Sequence, residues 1–204
     1  LKPGFEHWIV KFPSSNDIPD IANIEYAYYK MALECGIEMS DSKLFIGKSG
    51  KNYFATKRFD RIGNSRLHMH SAAGLMHDNF RVSNMDYGHL MDCAFKLEKQ
   101  YSAYEKVFRL AVFNVMFHNR DDHSKNFSFL MNAEGNWSFS PAYDLTFSNS
   151  SHGHHSTMIM GESKAPTSKD LLNLANHFGL KTGKEIIEQV RECASKWKSY
   201  ANEA

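Results

Sequence analysis

The run Asp121-Asp122-His123-Ser124-Lys125-Asn126 packs two acids, an imidazole, a lysine and a carboxamide into one short stretch, between an apolar helical run and a short apolar strand. Buried polar groups are costly unless they are paired or used, so a cluster this dense at the mouth of a core implies chemistry. Three more charges stand at suggestive places: Lys11 in an otherwise apolar strand, Glu25 early in a helix, and Asp144 after a hairpin. Singly, each has an ordinary role. A lysine can snorkel from an edge strand, and an acid near a helix start is favoured by the dipole. Together they supply the parts of phosphoryl transfer. Lys11, oriented by Glu25, would meet nucleotide phosphates. Asn126 and Asp144 would offer hard oxygens to Mg²⁺, an ion that takes few protein ligands and keeps its waters. Asp121 would accept or orient the proton of an acceptor hydroxyl. Two other readings stay open. His118, Asp121, Asp122 and His123 could ligate a metal that activates water, making a hydrolase, or the chain could be a binding module without catalysis.

The elements that must position these residues follow from pattern. Residues 7–13 read as a strand ended by Pro13, residues 20–35 as a helix with Ile21, Ile24, Tyr28 and Met31 at helical spacing and Gly36 as its stop. Residues 43–46 and 53–56 flank a Gly- and Lys-rich turn and form a hairpin. Lys57-Arg58-Phe59-Asp60-Arg61 then leaves the sheet as a connector. Residues 62–82 read as irregular, with His68-Met69-His70 as a weak metal-binding candidate. A helix is expected from a Ser83/Asp86 start to about residue 100, and the next from a Ser102/Glu105 capping box. The second is apolar nearly all round and so belongs in the middle of a lobe. Residues 127–131 and 137–140 form a second hairpin, which delivers Pro141-Ala142-Tyr143-Asp144-Leu145. Residues 146–167 read as a mobile loop whose His152-Gly153-His154-His155 is a further weak metal signal. Two amphipathic helices close the chain, at 168–178 and from a Thr182/Glu185 box towards residue 200.

Bulk properties bound the class. The chain has 204 residues, 42% hydrophobic and 13% aromatic, enough to bury a core in one domain or two packed lobes. A net charge of +1 gives no global field towards nucleic acid or a membrane. Cys35, Cys93 and Cys193 suit reduced thiols of a cytoplasmic protein. No apolar run approaches a membrane span of about 20 residues, and no signal peptide is expected. The start at Leu1 without a Met suggests a fragment. The order of parts (lysine, helix glutamate, D-x-x-x-x-N loop, hairpin, aspartate) is that of kinase-like phosphotransferases.

The runs Arg58-Phe59-Asp60-Arg61, Asp121-Asp122-His123-Ser124-Lys125-Asn126-Phe127-Ser128 and Pro141-Ala142-Tyr143-Asp144-Leu145 closely resemble the HipA family of bacterial serine/threonine kinase toxins, in particular its short HipT-type members. The resemblance implies an α+β, two-lobed, protein-kinase-like fold, with a small β-rich part at residues 1–60 and a mostly helical part at 61–204. It implies ATP and Mg²⁺ as cofactors. Lys11 matches the lysine on the ATP phosphates, with Glu25 as its weaker-matched partner. Lys57, Arg58 and Phe59 match the hinge that meets adenine. Asp121 matches the catalytic acid–base. His123, Ser124, Lys125 and Asn126 match the nucleotide- and metal-binding loop, and Tyr143 and Asp144 the segment of the metal-binding aspartate. Partners implied are an aminoacyl-tRNA synthetase as substrate, a HipB-type antitoxin that binds DNA in this chain's stead, and a third small HipS-like protein. The family's Gly-rich loop, with its autophosphorylated serines, would fall before Leu1; without it, nucleotide binding and activity are expected to be poor. Asp122 stands where members carry Gly or Asp, and its role is undecided at this stage.

Overall fold

Short apolar strands of period two meet one amphipathic helix at the start of the chain. The computed structural model describes residues 2, 4–15, 17–150 and 153–204. Strand β1 (Trp8–Val10), helix α1 (Ile21–Glu34) and the hairpin β2 (Ser42–Ile46) and β3 (Asn52–Lys57) appear in the expected order. The antiparallel sheet has the order β1-β3-β2, with Ile9 opposite Thr56 and Leu44 opposite Phe54. Helix α1 lays Ala27, Tyr28, Met31 and Ala32 into the core. Its start does not use a side-chain cap: Asp20 adopts φ 63°, and its carbonyl accepts from Ile24 N–H.

Residues expected to be irregular are partly ordered. A small ribbon, β4 (Arg61–Ile62) and β5 (Ser65–Arg66), precedes β6 (His68–Ser71) and the single turn α2 (Ala72–Leu75). Strand β6 pairs antiparallel with β7 (Ser128–Met131), which pairs with β8 (Trp137–Phe139). His68 and His70 therefore belong to a strand, where His68 packs edge-on against Trp137 at 5.5 Å.

Helix α3 (Tyr87–Glu98) is capped by a box between Asp86 and His89 rather than by Ser83, whose hydroxyl donates to Asp78. Helix α4 (Ser102–Met116) is buried all round through Val107, Phe108 and residues 110–115, as its composition requires. Two expected capping boxes do not form. Thr182 Oγ1 donates to Glu105 Oε1 at 2.6 Å, so the two residues tie separate helices together. Helix α5 (Ser168–His177) has a full box from Thr167 and Asp170. The last expected helix is two, α6 (Gly183–Ser195) and α7 (Trp197–Glu203). The chain turns at Lys196, which bonds back to Cys193 O, and Tyr200 then packs inward with its hydroxyl on Glu34. Among the described residues no helix is long and apolar enough to cross a membrane.

Candidate active site

The seam between the first sheet and the second hairpin gathers three charges far apart in sequence. Lys11 follows β1, held by its N–H to Phe54 O at 2.9 Å. Its ammonium donates to Glu25 Oε1 at 2.6 Å and also to Asp144 Oδ1. Burial opposes the charge on Lys11, but the Asp144 and Glu25 carboxylates outweigh it and raise its pKa. At Glu25, only 7% exposed, burial wins over the attraction of Lys11 and holds its carboxyl above the ordinary range. A cavity of about 180 Å³ opens here, bounded by Ile9, Lys11, Glu25, Phe54, Thr56 and Asp144.

Asp144 reaches this point because the β7–β8 hairpin returns the chain and the backbone then turns left-handed, φ 59° at Asp144 itself. The residue before it is fixed. Tyr143 Oη donates to Lys125 O and lies 2.6 Å from Ser128 Oγ, and burial pushes its phenol up to about 12. The Phe59 ring rests 5.7 Å from Tyr143. Phe59 thus joins the end of β3 to the aspartate segment. Of the other two residues matched to the hinge, Lys57 N–H donates to Asp41 O at 2.8 Å and Arg58 N–H to His7 O at 2.9 Å. Their side chains pair with Glu6 and Asp60. Their backbone amides are thus engaged in the sheet.

Helix α4 delivers the loop that carries Asp121 to Asn126. Asp121 is more than half exposed, with His123 Nε2 3.9 Å from its Oδ1. Burial raises the pKa of Asp121, His123 opposes the rise, and Asp144 and Asp122 add to it. The result is a carboxylate of increased basicity. Asn126, closing a short 3₁₀ turn (Ser124–Asn126), donates from Nδ2 to Asp121 O at 2.9 Å. That bond uses the nitrogen of the Asn126 carboxamide and not its Oδ1, and Lys11 engages Asp144 through Oδ1. One carboxamide and one carboxylate oxygen are a donor set that suits Mg²⁺ completed by water and phosphate. Among the described residues no group of three or more His, Cys, Asp or Glu is arranged to hold a metal. Ser124 is fully buried, its hydroxyl engaged by Asp78. Lys125 Nζ sits 3.7 Å over the Phe80 ring. An open cleft of about 1000 Å³ is lined by Asp121 and His123 together with Phe80, Arg81, Ser150 and His155.

Asp122, undecided from sequence, is buried at 1% exposure. Its Oδ2 accepts from Tyr87 Oη at 2.9 Å and faces His155 Nδ1 at 3.0 Å; its Oδ1 accepts from Ser156 N–H at 2.8 Å and Thr157 N–H at 3.3 Å. Tyr87, Asn114 and Asn119 continue the network through bonds of 2.8 and 3.0 Å. His155 was grouped with metal-binding histidines on sequence; it is instead a buried partner of a carboxylate. His152, from the same motif, lies outside the described residues. Residues 155–157 are likewise fastened rather than loose. Tyr87 and His155 had no local signal, since their bonds to Asp122 join segments 35 and 33 residues apart.

Comparison with known proteins adds the family. Curated protein sequences give no match. Among solved structures, the chain is similar to HipA of Shewanella oneidensis MR-1, from a complex with HipB and operator DNA, at 19% identity and TM-score 0.74, covering 96% of this chain and 51% of that one. It is also similar to the Helicobacter pylori proinflammatory kinase CtkA, at 14% identity and TM-score 0.57, covering 96% of this chain and 89% of the other. The chain thus spans about half the length of the HipA chain, and the α+β, kinase-like architecture expected from sequence is the observed one. A family model for the HipA-like C-terminal domain matches residues 1–197, and the chain belongs to that family.

Proposed function

We propose that the chain is the catalytic part of an ATP- and Mg²⁺-dependent serine/threonine protein kinase, acting as the toxin of a bacterial toxin–antitoxin pair. One observation carries the reading: Lys11, ion-paired to both Glu25 and Asp144, stands on the nucleotide side of a loop whose exposed Asp121 has raised basicity. Residues 1–60 form the nucleotide side, with Phe59 at the adenine end, and residues 61–204 carry the loop. Asn126 and Asp144 would hold the metal, which would supply positive charge to offset that of the phosphates. Lys11 and Lys125 bring cations to the phosphates, and His123 flanks Asp121. Ser124 holds the loop through Asp78. Asp121 accepts the proton of the acceptor hydroxyl as its oxygen attacks.

Family membership supports an aminoacyl-tRNA synthetase as substrate, a HipB-type antitoxin as partner, a third HipS-like protein in the HipT-type arrangement, and a cytoplasmic setting. The Shewanella HipA structure is one of a complex with HipB and DNA, which favours the antitoxin partnership. A water-activating metal site loses a ligand, because Asp122 is fully engaged by Tyr87, His155, Ser156 and Thr157. The test is transfer of the γ-phosphate of ATP to protein by the full-length protein as wild type, Asp121→Ala and Asp144→Ala. Transfer by the wild type alone is expected; equal transfer by all three sinks the assignment.

A further inference from the structure

We infer that Asp122 is a positioning residue: through His155, Ser156 and Thr157 it fastens the strap of residues 155–159 to the catalytic loop and so fixes the acceptor cleft. The inference rests on the kinase reading for the acceptor, and on bond geometry alone for the strap.

The three residues around the candidate base are held by their carbonyls. Arg120 O accepts from Ser156 N–H at 3.2 Å and Ser156 Oγ at 3.1 Å. Asp121 O accepts from Asn126 Nδ2 at 2.9 Å. Asp122 O accepts from Thr157 Oγ1 at 2.5 Å. The strap is pinned on its other side too: Met158 N–H donates to Met85 O at 2.9 Å, Tyr87 N–H to Met158 O at 2.9 Å, and Gly161 N–H to Asp86 Oδ2 at 2.8 Å.

Asp122 is the chemical centre of this arrangement. Against a carboxylate, His155 Nδ1 must carry the proton. Four donors then converge on two oxygens with no exposure to water, so loss of the carboxylate would orphan donors on the strap and on α3 at once. Because residues 154–156 line the cleft next to Asp121, the strap sets where an acceptor hydroxyl lies relative to the base. The nucleotide cavity at Lys11, Glu25 and Asp144 includes no strap residue. Acceptor and nucleotide functions should therefore respond differently.

His155→Leu removes one strap donor while filling the space. His155→Asn keeps a donor where Nδ1 stands. The acceptor is the peptide that the wild type phosphorylates fastest from a degenerate serine/threonine library. His155→Leu should raise KM for that peptide or lower kcat by roughly tenfold to a hundredfold, the scale of a small misplacement of reacting groups. KM for ATP should stay within about twofold, a split that marks lost acceptor positioning. His155→Asn should recover most of the effect. Amide hydrogen exchange gives a readout independent of catalysis: residues 155–157 should exchange about tenfold faster in His155→Leu, with α4 unchanged. Equal loss towards ATP and peptide, or unchanged exchange of the strap, overturns the inference. If the wild type phosphorylates no peptide, the kinase reading fails by itself, and the exchange comparison alone decides whether Asp122 fastens the strap.

Discussion

Tyr87→Phe removes a single oxygen from the centre of the buried network, and its cost can be worked from the bonds that oxygen makes. Tyr87 is fully buried, and its ring packs edge-on against Phe127 at 5.6 Å, a contact that phenylalanine preserves. Its hydroxyl donates to the Asp122 carboxylate at 2.9 Å and accepts from Asn114 Nδ2 at 2.8 Å. The first is a hydrogen bond to a charged group, worth about 1.5–3 kcal/mol. Losing the second orphans a buried carboxamide donor, at about 1–3 kcal/mol. Relaxation around the missing oxygen makes the two less than additive, giving roughly 2–4 kcal/mol in total. For a chain of this size that lowers Tm by about 4–16 °C. Circular dichroism melts and urea titrations should show it, the latter as a lower midpoint at unchanged slope. A loss below about 0.5 kcal/mol, the level of an ordinary surface substitution, would refute the reasoning, since the hydroxyl would then have been making neither bond at full strength.

Other substitutions probe other parts. Asp121→Ala should cut phosphate transfer by about 10²–10⁴ while leaving ATP-induced stabilisation intact, as measured by thermal shift alongside a radiolabel assay. Because the base must be ionised to accept a proton and its pKa is raised, kcat/KM should fall as pH drops through that raised value, at a higher pH than an ordinary aspartate would give; a profile flat through the acid range argues against Asp121 as base. With Mg²⁺ and ATP at about a hundred times Kd, the wild type should gain about 2.7 kcal/mol in stability, and Asp144→Ala should lose the Mg²⁺-dependent part of that gain. Gly183→Val should destabilise by about 1–3 kcal/mol, read from urea midpoints, because a Cβ at Gly183 would run into Ala175 Cβ where α6 crosses α5.

Local signals were legible and long-range ones were not. Period-two runs with a turn between them gave β2 and β3, and the all-round apolar pattern of α4 placed it in the core. Glu25 could be named as the partner of Lys11 because phosphoryl transfer demands charges of those signs, whereas Asp144 was read as a metal ligand only and its ion pair with Lys11 comes from the fold. Strand β6 was missed because His68 and His70 read as polar loop, whereas its order comes from pairing with β7 some sixty residues on. Ser102/Glu105 and Thr182/Glu185 each fit a local capping rule, but Glu105 and Thr182 found each other instead, a choice that only tertiary packing offers. The break at Lys196 has no glycine or proline to mark it; burial of Tyr200 draws the chain around. Asp122 belongs to the same class, since what defines it is the set of donors that the fold brings to it.

Lys11 between its two carboxylates gives the site a resting ion of its own. On the proposed reading, a divalent cation arriving at Asp144 would compete with an ammonium already seated there, so filling the site would be an ion exchange rather than a simple addition. Bare triphosphate would meet two carboxylates whose charge Lys11 only partly cancels. Metal alone would have to strip Asp144 from Lys11 and leave the ammonium on Glu25 alone. On the kinase reading the combination would avoid both penalties, since Asp144 would face the metal and Lys11 the phosphates. Metal and nucleotide should therefore each strengthen the other's hold, and by the reciprocity of linked equilibria by the same factor.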